Sequence, residues 1–171
     1  MNITFDLETL GNNFNSPIVQ IAAVKFTDQG VITDKFTRSI DIKSLEMYDF
    51  KCDYSTIIFW LEQSKEAIGS VFLNDKRTDI LKSIYDFKEW IGKAEDYCYW
   101  SHATFDPVIL RNACEKINLD EFIPFWLHCD IRTLTRLTGG VQIERKGNHH
   151  NALDDCIYQA EYISKCLQLI K

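Results

Sequence analysis

The stretch that most constrains this chain is Ile3-Thr4-Phe5-Asp6-Leu7-Glu8-Thr9, near its start. Ile3, Phe5 and Leu7 alternate with Thr4, Asp6 and Glu8, the period-2 pattern of a half-buried strand. A strand sends residues i and i+2 to one face, so this one commits two carboxylates to the same side. Acids that close raise each other's pKa unless a cation stands between them. Hard divalent cations such as Mg²⁺ prefer carboxylate oxygens and are the usual answer. Any fold for this chain must bury Ile3, Phe5 and Leu7 and still leave room above Asp6 and Glu8. Asp-x-Glu alone is a common accident, so the rest of the chain has to supply partners.

Behind this strand lies a polar turn, Gly11 to Pro17, rich in turn formers. Ile18 to Phe26 is almost continuously apolar and reads as a central strand. Asp28-Gln29-Gly30 forms a hairpin turn into a third strand, Val31 to Ile42, which makes an antiparallel meander the economical arrangement. From Ser55, an expected N-cap, the period becomes helical, with Ile57, Ile58, Trp60 and Leu61. A short helix capped by Ser64 runs to about Val71. Ile80, Ile84, Phe87 and Ile91 mark an amphipathic helix, and Tyr97 to Trp100 a short strand. Asp106-Pro107 opens the next helix, with Asp106 as its expected cap and Ile109, Leu110, Ala113, Cys114 and Ile117 as its buried face. Trp126 to Ile131 reads as an edge strand, followed by a helix from Arg132 to Thr138 that Gly139-Gly140 ends. The last helix spans about Asn151 to Leu169 on a stripe of Leu153, Cys156, Ala160, Ile163 and Leu167. The expected class is α/β: a mixed β-sheet, three antiparallel strands plus further strands, with helices on both faces.

At 171 residues, 46% hydrophobic and 13% aromatic, the chain is expected to form one domain with a core needing no disulfide or structural metal. A strand beginning at residue 2 or 3 leaves no room for a leader peptide, and no apolar run reaches a membrane span. Cys52, Cys98, Cys114, Cys129, Cys156 and Cys166 contain no Cys-x-x-Cys and fall mostly in apolar patterns, as reduced core thiols of a cytoplasmic protein do. The net charge of −6 would repel a long polyanion over much of the surface, which constrains a nucleic-acid role without excluding it. A nucleic-acid role would have to be local, at a short strand or an end.

Two later stretches can complete the carboxylate pair. His102-Ala103-Thr104-Phe105-Asp106 places an acid at a strand-to-helix junction. His149-His150-Asn151-Ala152-Leu153-Asp154-Asp155 places a histidine five residues ahead of an acid twice over. At about 100° per residue, Asp154 lies roughly 150° from the expected stripe and Asp155 roughly 110°, at its flank. Asp155 with His150 is therefore preferred, and Asp154 reads as a solvated acid.

Asp6-Leu7-Glu8-Thr9-Leu10-Gly11, Phe105-Asp106 and His150 to Asp155 together resemble the three motifs of the DEDDh 3′–5′ exonucleases. That superfamily includes ribonuclease T, oligoribonuclease and bacterial proofreading subunits, on a ribonuclease H-like fold. Ser55-Thr56-Ile57, Trp60-Leu61, Gln63-Ser64, Glu66-Ala67 and Asp130 to Thr133 resemble a branch containing phage exonuclease A and a mycobacterial-type exoribonuclease, which hints at a phage or prophage source. The resemblance implies Asp6, Glu8, Asp106 and Asp155 as ligands of two divalent ions, Mg²⁺ or Mn²⁺, and His150 as general base. It implies 3′ ends of single-stranded RNA or DNA as substrate, cut to nucleoside 5′-monophosphates, and leaves a homodimer open. Thr9 and Leu10 would border the terminal nucleotide, with Phe105 beside the site.

The chain departs from the pattern where it carries His102, since many relatives have Asn there, and Phe59-Trp60, where the branch often has paired tryptophans. Trp60 either stacks on a base or packs in the core with Ile57 and Leu61. Arg132, Arg136, Arg145 and Lys146 form either a phosphate rim or ordinary solvated charge. The competing readings are a hydrolase of dinucleotides or short oligonucleotides, a non-catalytic nucleic-acid-binding module, and an endonuclease of ribonuclease H type. Intact acids argue against the binding module, and the motif-three histidine against the endonuclease.

Overall fold

The computed structural model describes residues 1–145 and 151–170. β1 (Asn2–Thr9) is the middle of five strands, antiparallel to β2 (Ile18–Phe26), which pairs with the edge strand β3 (Ile32–Ser39). On its other side β1 runs parallel to β4 (Cys98–Ser101), and β4 runs parallel to β5 (His128–Asp130). The order β3-β2-β1-β4-β5 is the expected antiparallel meander extended by a parallel pair. β2 is buried at every position except Lys25, as its unbroken apolar run requires.

The helices are α1 (Tyr54–Leu61), α2 (Lys65–Phe72), α3 (Ile80–Ile91), α4 (Asp106–Lys116), α5 (Ile131–Thr138) and α6 (Ala152–Ile170). Alternation along β1 decides which of them lie where. Ile3, Phe5 and Leu7 enter the larger core with Ile84 and Phe87 of α3 and Ile109 and Leu110 of α4. The opposite face, with Ala22 and Val24 of β2, packs against α5 and α6 through Ile131, Leu134, Ala152, Cys156, Ala160 and Ile163. Asp6 is paired with Ala22 and Glu8 with Gln20, so both acids look out on the α6 side.

Several elements differ from the sequence pattern. The third strand stops at Ser39; Ile40 still donates its amide to the Val19 carbonyl of β2 at 2.9 Å but bridges Thr78 on its other side. The last strand keeps only His128–Asp130; Phe125–Leu127 form a 3-10 turn that leaves Phe125 and Trp126 exposed. α1 is capped by Asp53, whose carboxylate accepts from the amide of Ser55, so Ser55 is inside the helix rather than at its cap. In α6 the buried stripe is Ala152, Cys156, Ala160, Ile163 and Cys166, while Leu153 and Leu167 are only half-buried. Small side chains let the helix lie close on the sheet, with Cys156 Sγ 3.4 Å from the Ala22 carbonyl, and the larger leucines are displaced to its flanks. α5 ends as expected on Gly139, at φ 73°. All six cysteines are free, but Cys52 and Cys98 are exposed, so only Cys114, Cys156 and Cys166 are core thiols. No helix among the described residues is long and apolar enough to cross a membrane.

Candidate active site

The site forms where the parallel half of the sheet gives out. β4 pairs with β1 only from Asn2 to Thr4, then turns away at Ser101, leaving the second half of β1 without a neighbour on that side. The amide of Leu7 faces this gap and donates to Asp106 Oδ1 at 3.2 Å. Asp106 Oδ2 accepts from the His102 amide at 3.0 Å. Asp106 is thus the buried first residue of α4, and its side chain does not cap the helix as the sequence suggested. It ties the start of α4 to the strand segment that carries Asp6 and Glu8.

α6 delivers the third acid to these two. Oxygens of Asp6, Glu8 and Asp155 all lie within 4.8 Å of one another. The observed stripe explains why Asp155 takes this place and Asp154 does not. Around its centre, Asp154 points roughly 180° away, while Asp155 sits roughly 80° off, above the sheet. Gln159, one turn on, shares that flank. It accepts from Thr4 Oγ1 at 2.7 Å and donates to Asp6 Oδ1 at 3.4 Å, linking the helix to both strand residues. Sequence reasoning missed Gln159, although its i+4 spacing from Asp155 was a usable signal.

Burial and crowding leave these acids short of charge compensation. Burial pushes Asp6 up to about 6, against the lowering effects of the Gln159 hydrogen bond and the Arg145 charge. Glu8 rises to about 8, first through burial and then through the charges of Asp6 and Asp106. Asp106 is also raised, by burial and then by Asp6, with its backbone hydrogen bonds opposing the shift. Three close carboxylates, of which Asp6 and Glu8 have raised pKa values, form a donor set suited to a hard divalent cation. Asp106 stands outside that triangle, and each of its oxygens accepts a backbone amide.

Beside the triangle opens a hollow of about 360 Å³, lined by Asp6, His102, Arg145, Asp155, Tyr158 and Gln159. Arg145 pairs with Asp155 and lies over the Tyr158 ring, 5.1 Å from its centroid. Among the described residues, it is the one expected rim cation in contact with an acid of the site. Arg132 is exposed on α5; with burial as the larger cause, its charge holds the His102 imidazole below its ordinary pKa. His102 Nδ1 is buried without a hydrogen-bond partner among the described residues. His150, His149 and Lys146 lie outside the described residues.

The residues expected at the terminal nucleotide are placed unevenly. Thr9 is buried, with Oγ1 donating to the Gly11 carbonyl at 2.6 Å. Trp60 is 4% exposed, edge-on to Phe72, and its indole N–H donates to the Thr9 carbonyl at 2.9 Å. Of its two sequence readings, the structure favours the core one, since Trp60 is buried and braces the end of β1. Leu10 lines an apolar hollow of about 330 Å³ with Ile57, Trp60, Leu61, Ile68 and Phe72. Phe105 is half-buried just before α4 and packs on the larger core.

Comparison with known proteins bears on the fold and on the family. In solved structures the fold is similar to E. coli exonuclease I in a zinc-bound complex with single-stranded DNA, with a TM-score of 0.67 and 14% identity. That match covers 99% of this chain but 40% of the exonuclease I chain, so the present sequence spans well under half of that relative. Cell-death related nuclease 4 matches with a TM-score of 0.54 and 12% identity, over 97% of this chain and 63% of that one. Exonuclease X, solved with 5′-overhanging duplex DNA, matches with a TM-score of 0.51 and 21% identity, over 99% and 90% of the two chains. A comparison with curated protein sequences finds no match. The family model for the Rv2179c-like 3′–5′ exoribonuclease domain matches residues 1–167, in line with the exonuclease resemblance read from the motifs. Divalent-metal dependence is implied by exonucleases of this kind, and nucleic acid is their substrate. With all but the last few residues matched, the chain belongs to the Rv2179c-like 3′–5′ exoribonuclease domain family.

Proposed function

We propose that this chain is a 3′–5′ exonuclease that removes nucleoside 5′-monophosphates from the 3′ ends of single-stranded nucleic acid, with two Mg²⁺ or Mn²⁺ ions. The observation that carries the reading is the triangle of Asp6, Glu8 and Asp155 oxygens within 4.8 Å, backed by buried Asp106. Bound divalent ions supply Lewis-acid polarisation of the scissile phosphate and a water that loses its proton near neutral pH. Asp6, Glu8 and Asp155 would hold the ions, with Asp106 as the fourth carboxylate. Gln159 fixes the orientation of Asp6, and the Leu7 and His102 amides fix Asp106. His150 is proposed as the base that accepts the water's proton, because an unperturbed imidazole titrates near ~6.5. The apolar hollow beside Leu10 suits the flat, uncharged surface of a nucleobase.

The test is digestion of 5′-labelled single-stranded RNA and DNA oligomers with Mn²⁺, with EDTA as control. Products should shorten stepwise from the 3′ end, and the faster substrate identifies the preferred sugar. Asp155→Ala should lower the rate by a factor on the order of 10²–10³, the scale seen when a single group stabilising transition-state charge is removed. Asp154→Ala should retain most activity. Loss of activity in Asp154→Ala but not in Asp155→Ala would overturn the assignment.

A further inference from the structure

A second cleft opens on the other side of the carboxylates, at the edge of the sheet. It has a volume of about 500 Å³ and is lined by Gln20, Ser39, Asn151 and the cations Arg38, Lys76 and Lys82, among others. Its inner end adjoins the site. Gln20 is the register partner of Glu8, and Gln20 Oε1 accepts from the amide of Ala152, three residues before Asp155. From there it runs past Ser39 on edge strand β3 to the loop between α2 and α3. α2 divides this cleft from the apolar hollow: Ser70 borders the cleft, while Ile68 and Phe72 border the hollow.

The charge of the cleft runs against that of the molecule. Among the described residues its only acid is Asp86, 3.0 Å from Arg38 Nε and 2.9 Å from Lys82 Nζ. Three cations against one carboxylate leave a local positive surplus in a chain of net charge −6. The remaining lining includes hydroxyl and amide groups of Thr37, Ser39, Thr78 and Asn151, which suit phosphate and sugar oxygens. A polyanion repelled elsewhere would find its favourable path here.

We propose that this cleft holds the sugar–phosphate backbone of the substrate strand upstream of its terminal nucleotide, with Arg38, Lys76 and Lys82 facing its phosphates. The proposal rests on the exonuclease reading and extends it to a strand-binding track outside the carboxylate site. It also reconciles an acidic protein with a polyanionic substrate, because the grip is confined to one cleft and a few phosphates.

The test compares Lys76→Ala/Lys82→Ala and Asp86→Asn with wild type and with Lys93→Ala/Lys165→Ala, which removes two exposed lysines outside the cleft. Binding of a 5′-fluorescein 12-mer RNA is followed by anisotropy in Ca²⁺ across a salt series, and dinucleotide turnover is measured in Mn²⁺. The cleft double variant should bind the 12-mer about tenfold more weakly at low salt, and its log–log salt slope should shrink by about 1.4, at roughly 0.7 per phosphate contact on single strands. Its dinucleotide turnover should match wild type. Asp86→Asn, which removes the countercharge, should tighten 12-mer binding, a gain that structural damage would not produce. Unchanged affinity and slope in the double variant, weaker binding in Asp86→Asn, an equal loss in the control pair, or no 12-mer binding by wild type would each overturn the proposal. Failure of the exonuclease reading is seen separately, as wild type that binds the 12-mer but cleaves neither RNA.

Discussion

At the scale of single residues, the site is a problem of charge compensation solved by position. Asp6 and Glu8 are forced to one face by strand geometry, and Asp155 joins them from a helix flank. Gln159 is the neutral member of this group, bonded to both Thr4 and Asp6. Gln159→Leu should therefore weaken Mn²⁺ affinity by about tenfold, at the lower end of what loss of a ligand-orienting partner costs, with little change in secondary structure. Titration calorimetry with Mn²⁺ checks this, and unchanged affinity would show that Asp6 is held by its strand alone. Asp6 and Glu8 were legible as a pair through period-2 alternation, whereas Asp106 and Asp155 were singled out as their partners through the resemblance to the DEDDh motifs. Gln159 was not singled out, because an amide on a helix flank gains a role only when the helix is docked.

At the scale of elements, α6 matters most, since it sets how high Asp155 stands above β1. Its seam is built from Ala152, Cys156 and Ala160, all without measurable exposure against the sheet. Ala160→Leu adds volume where the helix is tightest, so it should cost about 1–3 kcal/mol of stability. It should also lift Asp155 from its partners and reduce Mn²⁺ affinity. A thermal melt with and without Mn²⁺ checks both effects; an unchanged melting temperature would mean that the seam is looser than the packing implies. The sequence placed this helix correctly and put Cys156, Ala160 and Ile163 on its stripe, but added Leu153 and Leu167, which are only half-buried. Hydrophobicity ranks leucine above alanine, whereas close helix–sheet contact selects small side chains. α1 was misread in a similar way: Ser55 and Asp53 are both good caps, and only the chain path from Phe50 to Tyr54 chooses Asp53.

At the scale of the whole molecule, stability depends on pH through the buried acids. A carboxyl whose folded pKa is raised keeps its proton in the folded state after the unfolded chain has released it, so folding stability falls as pH climbs between the two values. For Glu8 that window runs from 4.5 to about 8. His102 and His128 are depressed by burial and act with the opposite sign, gaining stability as pH rises, but only up to their ordinary value of 6.5. Between pH 6.5 and 8 the acids act alone among these groups, and the melting temperature of the metal-free protein should fall. Saturating Mn²⁺ should raise the melting temperature most at the upper end of that range, because an ion bound only by the folded state stabilises it. Melting curves in EDTA and in Mn²⁺ at several pH values check this; a flat EDTA series would show that Glu8 already has a compensating partner.

What the sequence determined by itself was what local periodicity encodes: an α/β order of elements, a central strand with two acids on one side, and helices opening at Asp106 and before Asp155. These follow from bond geometry within a few residues, and no distant contact is needed to read them. Tertiary structure alone decided which helix face meets the sheet, that Trp60 turns inward to bond the Thr9 carbonyl, and that Asp106 binds amides rather than capping its helix. It also gathered Arg38, Lys76 and Lys82, scattered along the chain, into one cleft beside Glu8. Those outcomes depend on volumes and charges brought together from distant segments, and such sums exist only once the chain has closed on itself.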